Sequence, residues 1–207
     1  MEMVKEGLAM EENRPQNVLQ AAEAFCWASE RTFDLGMQHN YGGNISARLG
    51  PERYLTKPTG IGLLDCSISD LVLVDGRGEP LDGYARPTKE IQVHLALFRE
   101  RPDIHGIIHY HTPFATAYAN RGRGLPLPTL HARRILKRVP ALPELAEGSQ
   151  ELAGAVAEAF SDREVKGILL CTHGLMAVGP TLREAQYVAE LMEESARIQW
   201  NGDLISG

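Results

Sequence analysis

The sequence predicts an α/β fold, one mixed sheet covered by helices on both faces, and three observations carry that prediction. Short strand-like runs broken by Gly, Pro and Asp-Gly crowd the first third of the chain. From Thr88 onward, helix-spaced segments and apolar strands take turns. No internal repeat or low-complexity run interrupts the pattern, and 207 residues, 43% of them apolar and 23% charged, are enough to bury one core, so a single domain over 1–207 is expected.

The opening helix is expected from Pro15 to about Leu35. Val18, Leu19, Ala22, Phe25, Cys26 and Phe33 recur near helical spacing, with proline near the start and Gly36 past the end. In "YGGNISARLG", Gly42 and Gly43 permit close backbone approach before an alternating strand begins at Ile45. "YLTKPTGIGLLD" reads as a second strand running into a loop, and Leu71 to Val74 as a third ending in an Asp-Gly hairpin turn. "TKEIQVHLALFRE", Thr88 to Glu100, has the helical face Ile91, His94, Leu95, Phe98 behind Pro87. "IHGIIHYH" is then a strand and "TPFATAYANRG" a helix closed by Gly122. The proline-rich segment from Leu125 to Gly148 yields no element. Beyond it come a helix over about Gln150 to Phe160, an apolar strand "KGILLCTHG", and a last amphipathic helix from Thr181 to about Ile198, capped by Thr181 with Glu184 three residues on.

A net charge of -6 argues against nucleic acid or an anionic membrane as the main partner. No window approaches the roughly 20 apolar residues of a membrane span. The acidic, mixed N-terminus lacks a secretory pattern, and Cys26, Cys66 and Cys171 are odd in number without CxxC spacing, so a soluble cytoplasmic protein with structural thiols is expected.

The chemistry concentrates in "IIHYHTP". On a strand, residues i and i+2 share a face, so His109 and His111 can aim two nitrogens at one point while Tyr110 faces away. A divalent ion wants three or four N, S or O ligands, and catalytic sites leave one position open. The third candidate is His173, at a strand end before Gly174, with Cys171 as a rival two residues away. On its own, His-x-His fits two polar residues on a solvated face equally well. "RPTKE" opens a helix, where backbone N–H groups at Thr88, Lys89 and Glu90 would cradle an anion. Glu90 could also serve as general base, although for an isolated helix start an ordinary capping turn is the readier explanation. Gly43 with Asn44, and Thr59 with Gly60, are loops that could add to an anion site. The basic run Arg121, Arg123, Arg133, Arg134, Lys137, Arg138 reads first as solvated surface, with a substrate rim or subunit contact as the other reading.

These pieces become specific in order. GNIS, a Thr-Gly loop, P-[ST]-x-E opening a helix with His four residues on, "RPDIHGIIHYH", "GSQELA", then His-Gly after an apolar strand: the set resembles the class II aldolase and adducin family over about residues 15–198. The resemblance implies a three-layer α/β/α sandwich with a mainly antiparallel central sheet. It implies a divalent metal, zinc first with manganese or cobalt as alternatives, on His109, His111 and His173, and Glu90 as acid/base. It further implies phosphate contacts from Gly43, Asn44, Thr59, Gly60, Thr88 and Lys89, and a homotetramer with sites at subunit interfaces. The implied activity is a carbon–carbon lyase acting on a phosphorylated sugar through an enediolate. Lys89, in "PTKE", looks more like family members that decarboxylate 3-oxo-tetronate 4-phosphates, and Ala132 with Arg133 stand where a sugar-phosphate aldolase has a tyrosine. A non-catalytic, adducin-head-like interaction module is the further alternative. A cupin would need a glutamate soon after the second histidine, and an amidohydrolase barrel about 250 residues; this sequence offers neither.

Overall fold

The computed structural model describes residues 18–81 and 85–206. The Pro15 start expected for the first helix and the acidic N-terminal stretch lie outside them. Helix α1 (Val18–Asp34) ends as expected, with Gly36 at φ 65° and the Met37 N–H donating to the Thr32 carbonyl at 2.9 Å. Strands β1 (Asn44–Gly50), β2 (Arg53–Thr56) and β3 (Val72–Asp75) form an antiparallel meander. Helix α2 (Ile91–Glu100) leads to strand β4 (Gly106–Tyr110) and helix α3 (Pro113–Ala119). Helix α4 (Leu130–Leu136) and a two-residue strand β5 (Ala141–Leu142) follow. The chain closes with α5 (Gln150–Ser161), β6 (Gly167–Leu170), β7 (Gly174–Gly179) and α6 (Leu182–Ser206).

The strands build one seven-stranded sheet in the order β3-β2-β1-β4-β7-β6-β5. Every pair is antiparallel except β5 with β6, so the sheet is mixed and mainly antiparallel. Strand alternation then sorts the side chains. Ile45, Ala47, Ile108, Tyr110, Leu169, Leu175 and Ala177 pack on one face with Phe25 of α1, Ala115 of α3, Leu136 of α4 and Val188 of α6. Tyr54, Val72, Val74, Ile107, Ile168, Met176 and Val178 pack on the other with Val93 and Leu97 of α2 and Val156 of α5. Each fully buried Leu, Ile or Phe contributes on the order of 1.5–3 kcal/mol, and because both faces are filled this way the architecture is a three-layer α/β/α sandwich.

Four expectations need correction. Helix α2 begins at Ile91, not Thr88: Thr88 to Glu90 form a turn in which the Ile91 N–H donates to the Thr88 carbonyl at 3.1 Å. The segment 125–148 contains α4, whose Thr129 side chain caps it by accepting from the Ala132 N–H at 3.0 Å. Strand β7 escaped notice because all six of its residues are buried, which erases the alternation that reveals a half-exposed strand. Helix α6 continues past Ile198 without burying its apolar residues Trp200, Leu204 and Ile205, held by Gln199 donating to Asp203 one turn on at 2.7 Å and by the Tyr118 hydroxyl donating to Asp203 at 3.1 Å. Among the described residues no helix is long and apolar enough to cross a membrane.

Candidate metal centre

Register places the first half of the site. Asn44 at the start of β1 lies directly opposite His109 near the end of β4, on the sheet face that α2 covers. His109 is fully buried, while Tyr110 points to the other face, where its hydroxyl donates to Gln186 of α6 at 2.7 Å. His111 leaves the strand on the side of His109, and its backbone N–H donates to the Gln38 side chain at 2.7 Å. Gly42 makes room for the ring, since a Cβ there would stand 2.5 Å from His111 Nδ1.

The tight β6–β7 hairpin brings the third imidazole. Thr172 takes the left-handed conformation at φ 59°, its N–H donates to the Asn120 side chain at 2.8 Å, and the His173 N–H donates to the Leu170 carbonyl at 3.1 Å. Gly174, at φ 155°, lets β7 approach the end of β4 so closely that a Cβ would meet the Tyr110 carbonyl oxygen at 2.1 Å. The result is convergence. Nε2 of His109 lies 3.0 Å from Nε2 of His111 and 3.2 Å from Nε2 of His173, and the ligand atoms of the three all fall within 4.8 Å of one another.

Two features test this set against a divalent cation. His109 Nδ1 lies 2.8 Å from the Leu175 carbonyl, which can only accept, so the proton of the neutral ring sits on Nδ1 and Nε2 presents a lone pair inward. That lone pair faces the ring nitrogens of His111 and His173, the arrangement a shared cation requires. Second, Glu90 Oε2 lies 3.5 Å from His109 Nε2 and Oε1 lies 3.8 Å from His173 Nε2, and Oε1 is buried without a hydrogen-bond partner among the described residues. Three imidazole nitrogens beside a carboxylate fit a borderline-soft divalent ion with an open position.

The electrostatics agree. Burial first, then His173 and His111, bring His109 down to about 4 against the pull of Glu90, and burial also lowers His111. Burial pushes the Glu90 carboxyl up, but His109, the 2.8 Å hydrogen bond from the Asn44 amide, His94 and His173 together outweigh it and hold the group down at about 2. At neutral pH, then, His109 and His111 are uncharged, the state in which imidazoles bind a cation without first losing protons.

The family model described as Class II Aldolase and Adducin N-terminal domain matches residues 23–200. The chain belongs to this family. Among its class II aldolase relatives, the L-fuculose phosphate aldolase of Methanococcus maripaludis is 31% identical over 159 residues, covering 77% of this chain and 84% of the relative. The L-ribulose-5-phosphate 4-epimerase UlaF of Salmonella paratyphi B is 34% identical over 170 residues, 76% of this chain and 74% of the relative. L-fuculose-1-phosphate aldolase from Thermus thermophilus superposes with a TM-score of 0.79 at 28% identity, over 90% of this chain and 96% of that one. YgbL from Escherichia coli superposes with a TM-score of 0.78 at 28% identity, over 86% of each chain.

Not every anion-loop residue of this chain is free for the role expected of it. The cradle drawn at residues 88–90 is partly occupied: the Thr88 N–H donates to the Lys57 carbonyl at 2.8 Å, and the Glu90 N–H points at the Thr88 hydroxyl at 3.4 Å. Thr59 is likewise engaged, its N–H with the Arg86 carbonyl at 2.9 Å and its hydroxyl with the Pro87 carbonyl at 2.7 Å. Asn44 serves Glu90. Gly43, at φ 73°, is packed against Gln38, and Gly60, at φ 89°, has open space where a Cβ would be. Lys89 is exposed. The basic run is mostly occupied with local structure: Arg133 donates to the Leu127 and Pro128 carbonyls, and Arg138 pairs with Asp162 at 2.5 Å.

Sequence reasoning missed Gln38, Asn120 and Glu147. The first two hold backbone around the histidines, and no residue spacing advertises that. Glu147 is 66% exposed yet reaches within 3.5 Å of His173 Nε2 from the loop before α5. That loop is seated by Gly148, at φ 66°, where a Cβ would stand 2.8 Å from the Lys89 carbonyl oxygen. "EGSQELA" carried the signal, since Ser149 caps α5 and so fixes Glu147 two residues upstream.

Proposed function

We propose that this chain is a divalent-metal-dependent carbon–carbon lyase that cleaves a phosphorylated sugar, with zinc held by His109, His111 and His173 and with Glu90 moving the proton at carbon. The observation that carries the reading is the convergence of three imidazole ligand atoms within 4.8 Å beside the buried carboxylate of Glu90. A bound divalent ion supplies Lewis-acid stabilisation of the negative charge left when a carbon–carbon bond breaks. The protein's own groups do the rest. Asn44 anchors Glu90 Oε2 and leaves Oε1 free for a proton. Burial of Glu90 at 5% exposure keeps bulk water from that oxygen. Gly43, Gly60 and Lys89, with Thr59 and Thr88 shaping the loops around them, face the anionic end and convert remote binding into orientation. A homotetramer with sites at its subunit interfaces, working in the cytoplasm, completes the proposal.

A second reading on the same scaffold is decarboxylation of a 3-oxo sugar-acid phosphate. Lys89 favours it: an exposed ammonium for which no ion pair is found among the described residues is suited to a carboxylate. Aldol cleavage of a ketose 1-phosphate and loss of carbon dioxide from a 3-oxo-tetronate 4-phosphate leave the same three-carbon enediolate, whose protonation gives dihydroxyacetone phosphate. The zinc-loaded protein is therefore incubated with dihydroxyacetone phosphate in heavy water, and loss of the carbon-bound proton next to the carbonyl is followed by NMR. Exchange supports both lyase readings, which a panel of ketose 1-phosphates and 3-oxo acids then separates. No exchange, together with turnover of a pentulose 5-phosphate, would overturn them in favour of epimerisation.

A further inference from the structure

His94 is fully buried on α2, one turn beyond Glu90, and the chemistry described so far gives it no task. Its surroundings fix its tautomer. The Thr56 hydroxyl donates to the Ile45 carbonyl at 3.3 Å, and the Ser46 hydroxyl donates to Thr56 at 2.7 Å. Ser46 has only one proton, so its contact with His94 Nδ1, at 2.7 Å, must be one in which the imidazole donates. The proton of the neutral ring is thus on Nδ1, and Nε2 is a lone-pair acceptor. That acceptor is buried and without a hydrogen-bond partner among the described residues, and so is Glu90 Oε1. Glu90 is the residue just before α2 and His94 lies one turn on, the His94 backbone N–H donating to the Glu90 backbone carbonyl at 3.1 Å, so the two side chains are close enough for each to feel the other's charge. An unsatisfied buried acceptor is ordinarily costly, which raises the question of what donor it awaits.

We propose that His94 is a positioning residue for the acid/base step: its Nε2 accepts a hydrogen bond, directly or through one buried water, from the Glu90 carboxyl whenever that group carries the substrate's proton. The inference rests on the reading of Glu90 as acid/base. When the carbon–hydrogen bond breaks, the electron pair stays on the substrate and the proton goes to Glu90 Oε1, turning an acceptor into a donor that has a waiting partner. In the return step the proton goes back to carbon and Nε2 again presents its lone pair. The Thr56–Ser46–His94 chain keeps the ring in the one tautomer that can do this.

Two near-isosteric substitutions separate the role from mere packing. In His94→Asn the amide nitrogen replaces Nδ1 and keeps the bond to Ser46 but offers nothing at the Nε2 position. In His94→Gln the side-chain oxygen falls near Nε2 and keeps the acceptor. With zinc-loaded protein and dihydroxyacetone phosphate in heavy water, His94→Asn is expected to lower the maximal rate of carbon–proton exchange about 10- to 100-fold, with half-saturation and zinc content unchanged. His94→Gln is expected to recover to within a few-fold of wild type. Equal rates in the two variants, or a full rate in folded His94→Asn, would overturn the inference. Glu90→Gln serves as the control: if it retains exchange, the acid/base reading itself fails, whereas loss of exchange in Glu90→Gln with a full rate in His94→Asn discards only the role given to His94.

Discussion

The floor and the mouth of the site are built on different principles. The floor consists of His109, Glu90, Asn44 and Gln38, all less than 7% exposed, each placed by a sheet ladder or a buried hydrogen bond. The mouth consists of Lys89, Thr59, Gly60 and Glu147, all exposed and borne on loops. Rigid, dry placement suits the step that any carbon–carbon lyase must perform, the stabilisation and protonation of a carbanion equivalent. Exposed loop residues can be exchanged with little loss of stability, so under the proposed function substrates would be distinguished at the mouth.

The comparison breaks first at Gly42. Gly42→Ala puts a methyl group 2.5 Å from His111 Nδ1, and the ring can escape only by turning out of the cluster. Zinc affinity should drop about 10- to 100-fold, the range typical of lost outer-sphere support, as read by competition with a chromogenic chelator.

The next test is acid. Burial, against the raising influence of Glu90, brings His94 from its ordinary 6.5 down to about 4, and His109 falls to about 4 as well. A folded imidazole that binds its proton more weakly than the unfolded one makes unfolding take up protons between those two values. Stability of the metal-free protein is therefore level above pH 6.5 and declines as pH drops toward 4. Urea midpoints measured across that window should show the slope in wild type and a shallower one in His94→Gln.

A smaller effect is expected from Asn120→Ala, which frees the Thr172 N–H and loosens the hairpin that carries His173. The cost in stability is about 0.5–1.5 kcal/mol, with a few-fold loss of zinc affinity by titration. Smallest of all, Glu147→Gln should change zinc affinity by less than about fivefold, because an exposed charge near a ligand is strongly screened. Its effect should fall instead on the half-saturation constants of different sugar phosphates, which would sharpen the division between floor and mouth.

Half of the floor was legible in the sequence: strand alternation puts His109 on one face with His111, the order of motifs singles out Glu90 together with His173, while Asn44 was expected in an anion loop and Gln38 not at all. The mouth was not. Thr88 was read as a helix start offering a free N–H, but a proline-led turn places the helix three residues later and ties that N–H to Lys57. Gln38 and Asn120 act through one backbone contact each, brought together by a fold that leaves no local trace. Strand β7 and helix α4 were hidden for opposite reasons, the first being buried on both faces and the second short and set among prolines.

Central to the proposed function is one divalent cation held by His109, His111 and His173 together. Calorimetric titration of zinc into the metal-free protein, beside the His173→Ala variant, tests it most directly. One ion per chain, with affinity falling at least about 100-fold in the variant, is the predicted result. Absence of saturable binding, or a variant that binds zinc as tightly as wild type, would contradict it.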